Sequence, residues 1–288
     1  MSGDAVAAAG GAAGVVGSEA YSEASEVAVY RTVNRRLVEM VDLDDRALVL
    51  DVGCGPGLVP ELVRELRPGV RAVWGIDNDP VMVAEARRRL GGRAGVVRAD
   101  VAEVPALFPA GTIDAAFLAN CVHILDDPVA ALGSLGAVVA PGGQVALNTA
   151  FFAGAASEED RLVYLRLLLT ARRLAARRGY AAGADRPRRG HAARRSLTVD
   201  YLVEALAATG FAATAVEQHR VTVPGEFLYW LASTPMFAAG VLPGLEPTVA
   251  AAIMQEAMAT FAEGYYAGSG PTGIERTWLY IVGRRRRA

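Results

Sequence analysis

From Ala47 onward, short apolar runs alternate with segments whose apolar residues recur every three or four positions. The runs Ala47–Val52, Ala72–Ile76, Gly95–Arg98, Ile113–Ala119 and Gln144–Thr149 have the length and composition of strands buried inside a sheet. Between them, Leu58–Leu66, Pro80–Leu90 and Pro128–Val139 read as helices, with Pro80 and Pro128 suited to first turns. Pro141-Gly142-Gly143 reads as a stop before the fifth strand. Strand and helix alternating in this way predict an α/β chain with a parallel sheet covered by helices.

After Thr149 the rhythm breaks. Residues 151–196 read as helical and arginine-rich, with a loop near Tyr180–His191. Thr198–Thr209 is an amphipathic helix stopped by Gly210, and a strand follows at 211–221. Residues 224–272 predict two helices punctuated by Pro and Gly, and Thr277–Val282 a last strand. There is no internal repeat.

The most informative segment is Leu48-Val49-Leu50-Asp51-Val52-Gly53-Cys54-Gly55-Pro56-Gly57. A buried strand enters a turn with glycine at alternate positions, and a helix opens directly after it. Glycine lets the backbone turn tightly and approach a ligand, and the helix start offers free N–H groups to an anionic group. A dinucleotide fingerprint would place a third glycine where Leu58 stands, and with no lysine in the chain a P-loop is excluded.

This spacing resembles the first motif of class I S-adenosylmethionine-dependent methyltransferases, with an acid, Asp51, ahead of the glycines. Three later segments extend the resemblance in order: Gly75-Ile76-Asp77-Asn78-Asp79, Arg98-Ala99-Asp100-Val101, and Ile113 to Asn120. The resemblance implies that Asp51, Gly53, Cys54, Gly55, Gly57 and Asn78 border S-adenosylmethionine. It further implies that Asp77 accepts from the ribose hydroxyls, that Asp100 and the Val101 backbone read adenine, and that Asn120 lines the methionine portion. It implies a doubly wound, mostly parallel, seven-stranded sheet with helical lid insertions. The corresponding division is 1–46 (tail and cap helices), 47–150 (Rossmann-like cofactor core), 151–197 (arginine-rich insertion), 198–222 (core continuation), 223–274 (helical lid) and 275–288 (last strand and basic tail).

Composition narrows the partners. All 29 basic residues of the 288 are arginine, which excludes Schiff-base and lysine-base chemistry. A net charge of −2 gives no reason to expect nucleic acid or an anionic membrane. No apolar run reaches the roughly 18 residues of a membrane span, and the Ala/Gly-rich start reads as a tail without a basic leader, so a cytoplasmic protein is expected. Cys54 and Cys121 read as free thiols, and no His/Cys cluster has metal-ligand spacing. The oligomeric state is not legible.

The acceptor pocket is expected at the carboxyl ends of the fourth and fifth strands, under residues 21–40, 151–196 and 224–272. A small metabolite methylated on O, N or C fits this arrangement. His123, next to the methyl site, is the candidate general base, with a plain hydrogen-bonded histidine as its alternative. Aromatic residues from Phe227 to Tyr266 divide between core packing and pocket lining. Nine arginines lie between Arg172 and Arg195. Arg173 and Arg177, four apart on one helix face, could grip an anionic acceptor such as an isoprenoid diphosphate; a solvated face is the alternative. Two other functions stay open: an RNA or protein methyltransferase using that arginine-rich segment, and a cofactor-binding fold without methyl transfer.

Overall fold

The computed structural model describes residues 16–180, 197–266 and 273–287. Five strands run parallel: β1 (Leu48–Val52), β2 (Ala72–Asp77), β3 (Gly95–Arg98), β4 (Ile113–Ala119) and β5 (Val139–Thr149). β7 (Gly273–Arg285) is antiparallel to β5 and to β6 (Phe211–Pro224), which completes a seven-stranded sheet of order β3-β2-β1-β4-β5-β7-β6. Chain progression reverses between β1 and β4. The loops leaving these two strands diverge there, and the crevice between them is where open α/β sheets hold ligands.

Alternate residues of each strand feed opposite cores. Leu50, Val52, Ile76, Leu118, Leu147 and Ile281 join α5 (Pro128–Val138) and α7 (Val199–Ala208) on one face. Val49, Val73, Phe117, Ala146 and Tyr280 join α1 (Val16–Glu39) and α2 (Leu58–Leu66) on the other. Helix starts follow local chemistry. Asp79 caps α3 (Pro80–Leu90) by accepting from the Val81 N–H at 2.7 Å, and Asp127 caps α5 by accepting from Val129 and Ala130, each at 3.0 Å. Pro80 and Pro128 occupy first turns, where a missing N–H costs nothing.

A third apolar cluster builds a cap over the carboxyl ends of the strands. It joins α6 (Glu158–Arg177), α8 (Gly225–Ser233), α9 (Pro235–Val241) and α10 (Pro247–Tyr266) through Leu167, Ala171, Ala175, Ala232, Ala238, Met254 and Met258. α1 joins the cap through Tyr30, edge-on to Phe227 at 5.3 Å. None of the described helices is long and apolar enough to cross a membrane.

Two sequence expectations are corrected. The described residues of 224–272 hold three helices, because Thr234 precedes Pro235 and is forced to extended backbone (φ −71°, ψ 133°), which splits α8 from α9. Pro141-Gly142-Gly143 does not precede β5 but lies within it: Val139 already pairs with Ile113, and a register shift absorbs the extra residues before Gln144.

Candidate functional site

The glycine loop carries the chain from β1 to α2. Gly53, Gly55 and Gly57 all have positive φ (68°, 51° and 86°). Their surroundings differ. A Cβ on Gly57 would press on Leu90 and Ala86 of α3 at 3.1–3.3 Å, and one on Gly53 would meet Cys121 at 3.1 Å. A Cβ on Gly55 meets nothing within 4 Å. Gly57 and Gly53 are thus held by packing as well as by φ, whereas Gly55 faces open space at the crevice. The Cys54 side chain turns inward, against Val83, Ala86, Leu90 and Val96, leaving only its backbone to the loop. Cys54 and Cys121 are both free, and burial pushes both thiols up.

Three carboxylates surround the loop. Asp51 is buried (1% exposed), and its Oδ1 has no hydrogen-bond partner. Burial first, and the nearby Asp77 second, hold its carboxyl well above the usual carboxylate range. Asp77, at the end of β2, accepts from the Gly55 N–H at 2.8 Å and from the Asp79 N–H at 2.9 Å. Two of its lone-pair directions remain for a ligand. Asn78 donates to Asp100 at 3.4 Å, and Asp100 starts a short 3₁₀ turn (Val101–Glu103) through a capping box with Glu103. Gly55, Asp77, Asn78, Asp100 and Val101 therefore form one continuous rim along the ends of β1, β2 and β3.

Asn120 ends β4 in left-handed backbone (φ 52°). Its side chain donates to Asn34 of α1 at 2.8 Å and accepts from the Trp278 indole at 2.8 Å. Asn148 donates to the same Asn34 oxygen at 3.1 Å. This buried polar network ties α1, β4, β5 and β7 together where the cap meets the sheet.

Under the cap lies a cavity of about 70 Å³. Asn120 lines it at the sheet end; Phe151, Phe227, Leu228, Phe237 and Met258 supply apolar wall, and Asp160, Tyr164 and Arg276 add polar groups from α6 and β7. His123 is not among its lining residues. Its ring stacks on Phe151 at 4.3 Å, its Nδ1 lies 3.0 Å from the Thr149 hydroxyl, and burial lowers its pKa to about 4. The ring is packed one residue behind the cavity wall, against Phe151, which itself lines the cavity. Arg173 and Arg177 are both exposed, because Leu167, Ala171 and Ala175 turn the opposite face of α6 toward α10. Arg173→Ala and Arg177→Ala are expected to shift stability by less than about 0.5 kcal/mol and leave ligand binding unchanged, read from melting curves and titrations. Five of the nine arginines of that segment lie outside the described residues.

Sequence reasoning missed Arg276, Asp160 and Tyr164. The signals were present: period-two alternation puts Arg276 on the same face of β7 as Ile274 and Trp278, and the i, i+4, i+7 spacing aligns Asp160, Tyr164 and Leu167 on α6.

Comparison with known proteins agrees with this geometry. Residues 49–143 match the family described as a methyltransferase domain. Trans-aconitate 2-methyltransferase of Methylobacterium nodulans is 38% identical over 112 residues, 39% of this chain and 42% of that protein. Demethylmenaquinone methyltransferase of Thermus thermophilus is 37% identical over 112 residues, 38% of this chain and 50% of that protein. The chain thus spans half or less of these relatives. Among solved structures, geranyl diphosphate methyltransferase in complex with SAM superposes with a TM-score of 0.53 at 15% identity, covering 96% of this chain and 93% of that one. The [4+2]-cyclase SpnF superposes with a TM-score of 0.54 at 20% identity, covering 90% and 82%. Sheet order, glycine loop and family match together identify residues 49–143 as a methyltransferase domain within a class I methyltransferase-like fold.

Proposed function

We propose that the chain transfers the methyl group of S-adenosylmethionine to a small-molecule acceptor enclosed beneath the helical cap. The observation that carries this reading is the buried Asp51 Oδ1 without a partner, beside a glycine that leaves open space. A buried unpaired carboxylate is costly, and the cofactor's ammonium group is the kind of partner that offsets the cost. The start of α2, whose N-cap Gly57 supplies no side-chain hydrogen bond, suits the cofactor's carboxylate. Asp77 holds the ribose and the Asp100–Val101 turn borders the adenine.

When bound, the cofactor supplies an electrophilic methyl on sulfur, whose departure needs no proton. The protein's task is alignment and exclusion of water. Asn120 sits at the seam between rim and cavity, held by Asn34 and Trp278. In this division residues 47–150 carry the cofactor, and the described residues of 151–197 and 223–274 cover the acceptor. The cavity is smaller than the roughly 300–1,000 Å³ of common ligand pockets, so a sizeable acceptor enters with the cap helices parted. The apolar enclosure favours a small molecule over RNA or protein. Since the fold is shared with a [4+2]-cyclase, formation of S-adenosylhomocysteine in the presence of acceptors is the deciding measurement.

Asp77→Ala is expected to weaken S-adenosylhomocysteine binding by about 2–3 kcal/mol, as for loss of charged hydrogen bonds. Calorimetry showing full affinity in that variant would reject the ribose assignment. Gly55→Val is expected to abolish binding in a chain that still folds, because the new side chain enters open space at the crevice. Gly57→Val, which collides with α3, is expected to lower the melting temperature. Normal binding by folded Gly55→Val would make the loop merely structural.

A further inference from the structure

Apart from Tyr30, Asn120 and Trp278, the polar groups of the cavity wall are Arg276, Asp160 and Tyr164, which β7 and α6 bring together. Arg276 makes no ion pair within 4.0 Å and no side-chain hydrogen bond among the described residues. Its guanidinium lies over the Phe151 ring at 6.0 Å. Asp160 is within electrostatic reach of it, but one Asp160 oxygen already accepts from the Ser157 hydroxyl at 2.7 Å. Burial disfavours the Arg276 charge, yet arginine stays protonated in proteins. A desolvated cation facing a cavity gains from an anion brought to it.

We propose that Arg276 anchors a carboxylate of the acceptor, so that the substrate class is a small monoanionic carboxylic acid with an apolar body. This rests on the methyl-transfer reading of the same cavity. The planar guanidinium fork matches a carboxylate through two parallel hydrogen bonds. Tyr164, whose pKa burial raises to about 12, stays a neutral phenol beside it and can donate a further one. A diphosphate fits poorly, because the described lining offers one cation and sets the Asp160 carboxylate near it. Arg276 stands two strand positions beyond Trp278, which is bonded to Asn120 at the end of β4, a separation of about 7 Å along the strand. It is therefore an anchor offset from the end of β4, and not the methylated end's partner.

The test is a calorimetric titration of benzoate, benzamide and phenyl phosphate into the protein saturated with S-adenosylhomocysteine. Benzoate and benzamide are nearly the same size and differ in charge. Wild type is expected to bind benzoate at least tenfold more tightly than benzamide. Arg276→Gln is expected to bind the two equally while keeping its affinity for S-adenosylhomocysteine. Arg276→Lys, with the charge but not the fork, is expected to retain part of the preference, and covers the case in which the glutamine variant does not fold. Equal affinities in wild type, binding of neither, or a preference that survives Arg276→Gln overturns the proposal. Phenyl phosphate binding more tightly than benzoate overturns the carboxylate class. If S-adenosylhomocysteine itself does not bind, the methyl-transfer reading fails, and the same titrations without it still read Arg276.

Discussion

Asp51→Asn is expected to raise the melting temperature of the ligand-free chain and at the same time weaken its binding of S-adenosylhomocysteine. Both effects come from one atom. Asp51 Oδ1 is buried without a partner, and burial with the neighbouring Asp77 lifts its pKa well above 3.8. The folded chain therefore holds a proton on Asp51 at pH values where the unfolded chain has released it. By linkage, stability is full below about 4 and declines as pH rises toward the folded-state pKa. An asparagine of nearly the same shape removes that decline. It also removes the acceptor for a cationic group, and one charged hydrogen bond of about 1.5–3 kcal/mol corresponds to roughly 10–100-fold in affinity. A second readout follows: binding should expel the Asp51 proton in wild type and not in the variant. Titrations in buffers of different ionisation enthalpy measure it. A variant that is less stable and binds with full affinity would show Asp51 to be structural.

How much of this was legible depended on whether the signal was local. α2 and α3 fall on the residues that the pattern marks, because their boundaries are set by the glycine turn, by Asp79, by Pro80 and by Gly91 in left-handed backbone (φ 53°). The rim along β1, β2 and β3 was legible for the same reason, since each member sits at the end of a recognisable strand. What was not legible depends on tertiary direction. Helical spacing puts Arg173 and Arg177 on one face but cannot say that Ala171 and Ala175 take the inner one. The position of His123 after β4 suggested chemistry, whereas Phe151, from the loop after β5, covers its ring. Cys54 lies in the glycine motif, yet its side chain packs toward α3. Arg276 was readable in principle, since an arginine in register with Ile274 and Trp278 has to face the same way as they do.

His123→Gln tests the role of that histidine through acid stability. Burial lowers its pKa from 6.5 to about 4. Between those values the unfolded chain binds a proton that the folded chain refuses. Stability is therefore full above about 6.5 and lost as pH falls, with the loss complete near pH 4. A shift of this size in a mostly buried ring corresponds to about 3 kcal/mol. The Gln variant is expected to lose that acid-labile component between pH 4 and 6.5. Its slope is opposite to the one expected from Asp51, so wild type should show partial cancellation where the two ranges overlap. Asp51→Asn should expose a steeper acid loss, and His123→Gln a decline with rising pH. Because the ring is neutral throughout the physiological range and lies outside the cavity wall, methyl transfer by His123→Gln should follow its folded fraction. An acid profile identical to wild type, together with a selective loss of turnover in a fully folded variant, would return His123 to the reacting centre.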